Sequence, residues 1–220
     1  MADNAPIARS PIAAPAPVAI VAGCEVSARR STAELRITDC TPLAKVTVRA
    51  DPAGATAHIL GVSLGRAARD AHGVLVIGSG PGEWMLLGTP GTAAAIAARV
   101  APASSGELVT VIDATHGRAL VRVTGADSAR MLAKLCPVDL SDRVTPDGAA
   151  FRSSIAALVT DVIRDDIQPD DKADGPADNV KARSYLLHCE RSSGQYLFDS
   201  ILDAGAEFRI EVDGFTKPVL

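Results

Sequence analysis

The stretch EWMLLGTPGTAAAIAARV, residues 83–100, reads as an apolar strand, a short turn opened by Thr89 and Pro90, and an Ala-rich helix. SYLLHCERSSGQYLFDSILDAG, residues 184–205, repeats the same order in the second half of the chain. There Ser192 and Ser193 lead into a helix over 194–204, where serine ordinarily caps the first turn. Working outward from the first copy, GVLVI at 73–77 is a strand, and GSGPG at 78–82 is the turn that joins it to the strand at 83–87. LAKVTVRA at 43–50 alternates apolar and polar residues and is a further strand. Residues 56–64 are ambiguous. An apolar strand follows at 108–112, and 119–124 alternates as another that Gly125 breaks. A helix over 126–135 puts Met131, Leu132 and Leu135 on one face and stops at Pro137. Residues 149–154 and 156–164 read as a strand pair, and 207–212 as the last strand.

Strands and helices joined by short links predict an α+β fold, with mostly antiparallel sheets, helices on one face and ferredoxin-like halves. The organisation expected is an Ala/Pro-rich tail at 1–23, extended or disordered because Pro6, Pro11, Pro15 and Pro17 interrupt it. A first α+β half follows at 24–110, and its opening, 24–40, reads as a loop with one short element. The second half spans 111–220. Within it, DDIQPDDKADGPADNVK at 165–181 has no apolar period and is expected to be an exposed acidic loop.

Composition narrows the function classes. The 220 residues are 47% hydrophobic and 22% charged, so the chain can bury a core, but aromatics are only 3% and offer few stacking platforms for bases or sugars. Net charge is −4 with no basic run, which argues against nucleic acid as a partner. No segment approaches the roughly 20 apolar residues of a membrane helix, and the N-terminus lacks the pattern of a signal peptide. Cys24, Cys40, Cys136 and Cys189 are scattered, with no CxxC pair, and read as reduced thiols of a cytoplasmic protein.

Each chemical motif has a plainer reading beside it. The glycines of GSGPGEW, 78–84, are followed by a strand rather than a phosphate-binding helix, so they are a tight turn. Asp113 and His116 of DATHGR form a possible acid/base pair, equally well explained as a turn carboxylate and a solvent-facing imidazole. Ser192 and Ser193 fit a helix start better than a nucleophile. Asp165, Asp166, Asp170, Asp171 and Asp174 lack the central glycine and final glutamate of a calcium loop. His188 and Cys189 are adjacent on a strand and so face opposite sides, unsuited to a shared metal. No catalytic, cofactor-binding or metal-binding residue is assigned.

Three stretches carry a resemblance to known families. IDATHGRALVRVTGADSARMLAKLCPVDL, 112–140, resembles the opening of folate-dependent aminomethyltransferases, with Asp113, Thr115 in place of their serine, His116, Gly117, Gly125 and Asp127 matching. GPGEWMLLG, 80–88, resembles the Gly-Pro-acid-Glu-Trp-Leu-Leu signature of the gamma subunit of heterotetrameric sarcosine oxidase, and YLLHCERSSGQYLFDSILDAGAEF, 185–208, resembles that family's final strand and helix. The resemblance implies a non-catalytic gamma subunit in a complex that oxidatively demethylates N-methylated amines. Its partners would be an alpha subunit with NAD and a tetrahydrofolate-binding region, a beta subunit with FAD, and a delta subunit with zinc, covalent FMN lying between alpha and beta. The alternative is an independent folate-dependent aminomethyltransferase or folate-binding protein.

Overall fold

The computed structural model describes residues 7–100, 106–167 and 181–216. The first segment carries β1 (Ala8–Arg9), β2 (Val18–Val21), β3 (Cys24–Ser27), β4 (Arg36–Asp39) and β5 (Ala44–Arg49). Helix α1 (Ala55–Leu60), β6 (Ala67–Arg69), β7 (Leu75–Gly80), β8 (Glu83–Gly88) and α2 (Ala93–Val100) follow. After these come β9 (Thr110–Asp113), β10 (Arg118–Thr124), α3 (Ser128–Leu132), β11 (Ala150–Ile155) and β12 (Leu158–Arg164). The last segment carries β13 (Ser184–Glu190), α4 (Gly194–Gly205) and β14 (Glu211–Val212).

Two sheets stack face to face with helices on their outer sides. One has the order β6-β7-β8-β5-β9, all antiparallel. The other has the order β11-β12-β13-β10-β4-β14, antiparallel except for the short β4–β14 pair. The period-2 pattern of the strands explains the layering. In β8, Trp84 and Leu86 pack with Ile96 and Val100 of α2, while Met85 and Leu87 face the second sheet. In β13, Tyr185, Leu187 and Cys189 pack with Leu197, Phe198 and Ile201 of α4, while Leu186 turns to the first sheet. The i, i+4, i+7 spacing of Leu197, Ile201 and Ala204 gives α4 one apolar stripe on that sheet. Complete burial of Ile201 alone contributes about 1.5–3 kcal/mol.

The fold is α+β with mostly antiparallel sheets, as the sequence pattern predicts. Several details differ from the reading of the sequence. Residues 7–23, expected as a tail, include β1 and β2, which join β3 in a small third sheet. Ile12 is buried under α4, where the Ala13 amide donates to Gln195 Oε1 at 2.7 Å and Arg191 to the Arg9 carbonyl at 2.6 Å. The stretch 24–40, read as a loop with one short element, holds two strands, and β4 belongs to the second sheet rather than the first. The last strand is only two residues, because Ala206–Phe208 winds into a 3-10 turn. Of the acidic run, 168–180 lies outside the described residues; Asp165 is buried rather than exposed.

Candidate functional site between the two sheets

The residues singled out in the sequence mostly serve the fold. The turn of the GSGPG stretch is Pro81-Gly82, and β7 runs on to Gly80. A side chain at Gly78 would lie 2.2 Å from the Ser63 carbonyl oxygen, and one at Gly82 2.4 Å from that of Ala50. The Gly78 amide donates to the Arg66 carbonyl, so these glycines permit close backbone approach rather than exposing amides to a phosphate. Asp113 Oδ1 accepts the Thr115 amide at 2.9 Å, and Thr115 Oγ accepts the Lys45 amide at 3.1 Å, which ties the edge strand β9 to β5. Burial tends to raise the Asp113 pKa, but hydrogen bonds from Thr115 hold it below the ordinary carboxylate value. His116 is exposed and receives Arg191 on its backbone carbonyl. Ser193 sits at the N-terminus of α4 without a side-chain capping bond, because a 3-10 turn over Arg191–Ser193 precedes the helix. His188 and Cys189 face opposite sides of β13, as their adjacency requires.

What the sequence reading missed is a polar layer sealed between the sheets. Lys45 projects inward from β5 and is fully buried. Its Nζ donates to the carbonyls of Thr41 and Leu43 at 2.7 and 2.8 Å. Burial pulls the Lys45 pKa down to about 8, against the attraction of Asp39. Asp39 accepts the Thr41 amide on Oδ1, while its Oδ2 is buried without a partner among the described residues, and burial pushes its pKa up.

The second part of the layer crosses from one sheet to the other. His188 of β13 is 3% exposed, and its Nδ1 lies 3.2 Å from Asp161 Oδ2 of β12, its register partner. Arg152 of β11 donates to Asp161 at 2.6 and 3.1 Å and reaches Glu83 of β8 at 3.7 Å; Glu83 also pairs with Arg49 of β5. Charge therefore alternates along the series Arg49, Glu83, Arg152, Asp161, which ends at the buried His188. Burial lowers the His188 pKa, with Asp161 only partly opposing it. Burial raises that of Asp161, but hydrogen bonds from His188 and Arg152 hold it below its ordinary value.

A buried His–Asp pair suggests proton chemistry, but the space beside it is small. His188 Nε2 has no partner among the described residues and lies by a cavity lined by Ile77, Ser79, Met85, Leu87, Asp161 and Ile163. That cavity measures about 10 Å³, the size of one water, where small-molecule pockets span about 300–1,000 Å³. A wider depression of about 550 Å³ near Arg49, Asp51 and Glu107 is open to solvent. Arg49 there pairs with Glu83, Asp51 with the Ala53 amide, and Glu107 Oε2 with the amide and hydroxyl of Thr56, while Glu107 Oε1 has no partner among the described residues. Burial raises the Cys40 and Cys189 thiols to about 11, which removes thiolate character near neutral pH. Among the described residues, no three His, Cys, Asp or Glu side chains converge to hold a metal, and no helix is long and apolar enough to cross a membrane.

Two ionic nodes fasten the segments on either side of residues 168–180. Asp165 receives Arg122 at 2.5 Å and Arg69 at 3.0 Å, joining the two sheets. Arg164 binds Asp166 and Asp142, and Arg183 also reaches Asp142.

No family model matches this chain, and none of the curated proteins does. Solved structures do. Glycine cleavage system aminomethyltransferase T from Bartonella henselae aligns over 90% of this chain, with a TM-score of 0.63 and 13% identity. Only 55% of that protein is covered, so the chain spans about half its length. The architecture is therefore the α+β fold of the aminomethyltransferases. Heterotetrameric sarcosine oxidase from Corynebacterium sp. U-96, solved with pyrrole 2-carboxylate, aligns over 82% of this chain and 89% of its own, with a TM-score of 0.64 and 22% identity. The fold is shared with a chain of that oxidase, and the two similar coverages mean chains of similar length.

Proposed function

We propose that this chain is a non-catalytic, gamma-type subunit of a sarcosine-oxidase-like complex that oxidatively demethylates N-methylated amines or amino acids. The carrying observation is the near-complete mutual coverage with a chain of a heterotetrameric sarcosine oxidase, against about half of the aminomethyltransferase. The sealed space between the sheets supports it, since a water-sized cavity gives neither folate nor an amine a seat. The motif order, with GPGEWMLLG ahead of IDATHGR, points the same way. In this reading the alpha, beta and delta subunits carry NAD, tetrahydrofolate, FAD, FMN and zinc, and the complex works in the cytoplasm. The chain supplies shape and contact surface rather than reacting groups, so no catalytic, cofactor or metal residue is assigned to it.

Native affinity purification of the chain from its own cells, with an absorbance scan of the eluate, tests the reading. The expected outcome is a large complex with a flavin spectrum, while the isolated chain is colourless. A chain that elutes alone and without flavin overturns it. Tetrahydrofolate titration of the isolated chain then decides for the alternative, an independent folate-binding protein with the aminomethyltransferase fold.

A further inference from the structure

We infer that β2 is a docking edge to which an extended arm of a different subunit adds as a further strand, an inference that rests on the proposed function. β2 and β3 form a hairpin closed by Ala22 and Gly23, both with left-handed backbone at φ 50° and 77°. In such a two-residue turn the flanking pair, Val21 and Cys24, exchanges both hydrogen bonds, and bonding then alternates along the strands. The Ala28 amide donating to the Pro17 carbonyl at 2.7 Å fits that phase. The N–H and C=O groups of Val18 and Ile20 consequently point away from β3, and among the described residues they find no partner. β1 cannot serve them, because it pairs with the opposite side of β3.

The side chains tell the same story. Val18 and Ile20 are each 51% exposed, whereas Val21 packs on the core between the two large sheets and holds the hairpin in place. From Ser10 to Cys24 there is no charged residue. Free strand edges ordinarily carry a lysine or another inward charge to prevent pairing, and this one carries none. A rigid edge with open backbone groups and alternating apolar side chains suits another strand, with main-chain bonds for affinity and shallow apolar contacts for register.

A second copy of this chain is the poorer occupant. A stable dimer needs about 800 Å² from each partner, and two half-exposed side chains supply little of that. An arm of a subunit already bound elsewhere needs no such area, because its binding is intramolecular within the complex. The relative whose length this chain matches is itself a chain of a heterotetramer.

Hydrogen exchange of the chain alone and in its natively purified complex tests the inference. The Val18 and Ile20 amides are expected to exchange freely in the isolated chain and at least about tenfold more slowly in the complex. A complex that forms but leaves these amides unprotected overturns this inference and leaves the proposed function standing. Absence of any complex overturns both. Concentration-dependent protection in the isolated chain assigns the edge to a second copy and overturns the present choice. Val18→Lys and Ile20→Lys give a second readout: an unchanged melting temperature of the chain alone and about tenfold lower recovery of the complex. Full recovery with both variants refutes the docking role.

Discussion

Replacing Lys45 with methionine should flatten the rise of stability with alkaline pH. In the folded chain Lys45 is sealed between the sheets with a pKa of about 8, against 10.5 when exposed. The unfolded chain therefore binds more protons at this site between those values, and stability must rise with pH there. The shift amounts to a destabilisation of roughly 3 kcal/mol while the amine is charged. Linkage makes about 1.3 kcal/mol of it recoverable between pH 7 and pH 9. Cys40 and Cys189, raised to about 11, act in the opposite direction above pH 9, since their unfolded thiols ionise first. The difference between wild type and Lys45→Met between pH 7 and pH 9 reports the lysine, because both chains keep those thiols and Cys40, which the Lys45 charge lowers, only moves further above this window without it. Methionine also leaves the Thr41 and Leu43 carbonyls without their donor, which costs about 1–3 kcal/mol for each unsatisfied group at every pH. The diagnostic is therefore the slope rather than the offset. Urea unfolding of both chains at pH 7, 8 and 9 measures it. Parallel pH profiles would refute the reading of Lys45 as a buried, depressed amine.

Asp165→Ala strips the carboxylate from Arg122 and Arg69 at the junction of the sheets, while Arg122 keeps the residue-165 carbonyl and Ser184 and Arg69 keeps the Gly73 carbonyl, so a loss of about 1.5–3 kcal/mol in urea unfolding is expected. For His188 the folded pKa lies below 6.5, so stability is complete above that value and declines as pH falls toward the folded pKa. His188→Leu should lose that part of the acid limb, read from melting temperatures between pH 4 and 7. Gly125 adopts φ 138°, and a side chain there would lie 2.1 Å from the Glu34 carbonyl oxygen. Gly125→Ala should cost roughly 2 kcal/mol or more, whereas Gly91→Ala, at φ 83° with open space around it, should cost about 1 kcal/mol. Equal losses in calorimetry would refute the steric part of that argument.

Local signals were enough for most of the secondary structure. The alternation in β5 and β10, the apolar runs of β8 and β13 and the apolar stripe of α4 are properties of the residues themselves, because strand and helix periods are set by backbone geometry. The resemblance carried by GPGEWMLLG and IDATHGR also pointed to the fold that the solved structures share. The pair β11–β12 was legible as two strands, but the turn that joins them was not. That turn is Ala156-Ala157, both at positive φ, where glycine or asparagine is the usual signal. The N-terminal strands escaped notice because prolines and alanines mask them, and their order comes from contacts with α4 and the hairpin neighbours.

The candidate site shows the division most sharply. Lys45, His188 and Asp161 each stand in an apolar or alternating strand and look locally like surface positions. Which face of a strand becomes interior depends on what a distant segment lays over it: Asp161 and His188 meet through the pairing of β12 with β13, and they and Lys45 are covered only when the two sheets stack. The sequence by itself determined the strands, the helices and the apolar faces that must be covered, since those follow from period and composition. The tertiary structure alone decided which polar groups are sealed inside, how far burial shifts their proton affinity, and which edge is left open, because desolvation and pairing arise between segments far apart in the chain.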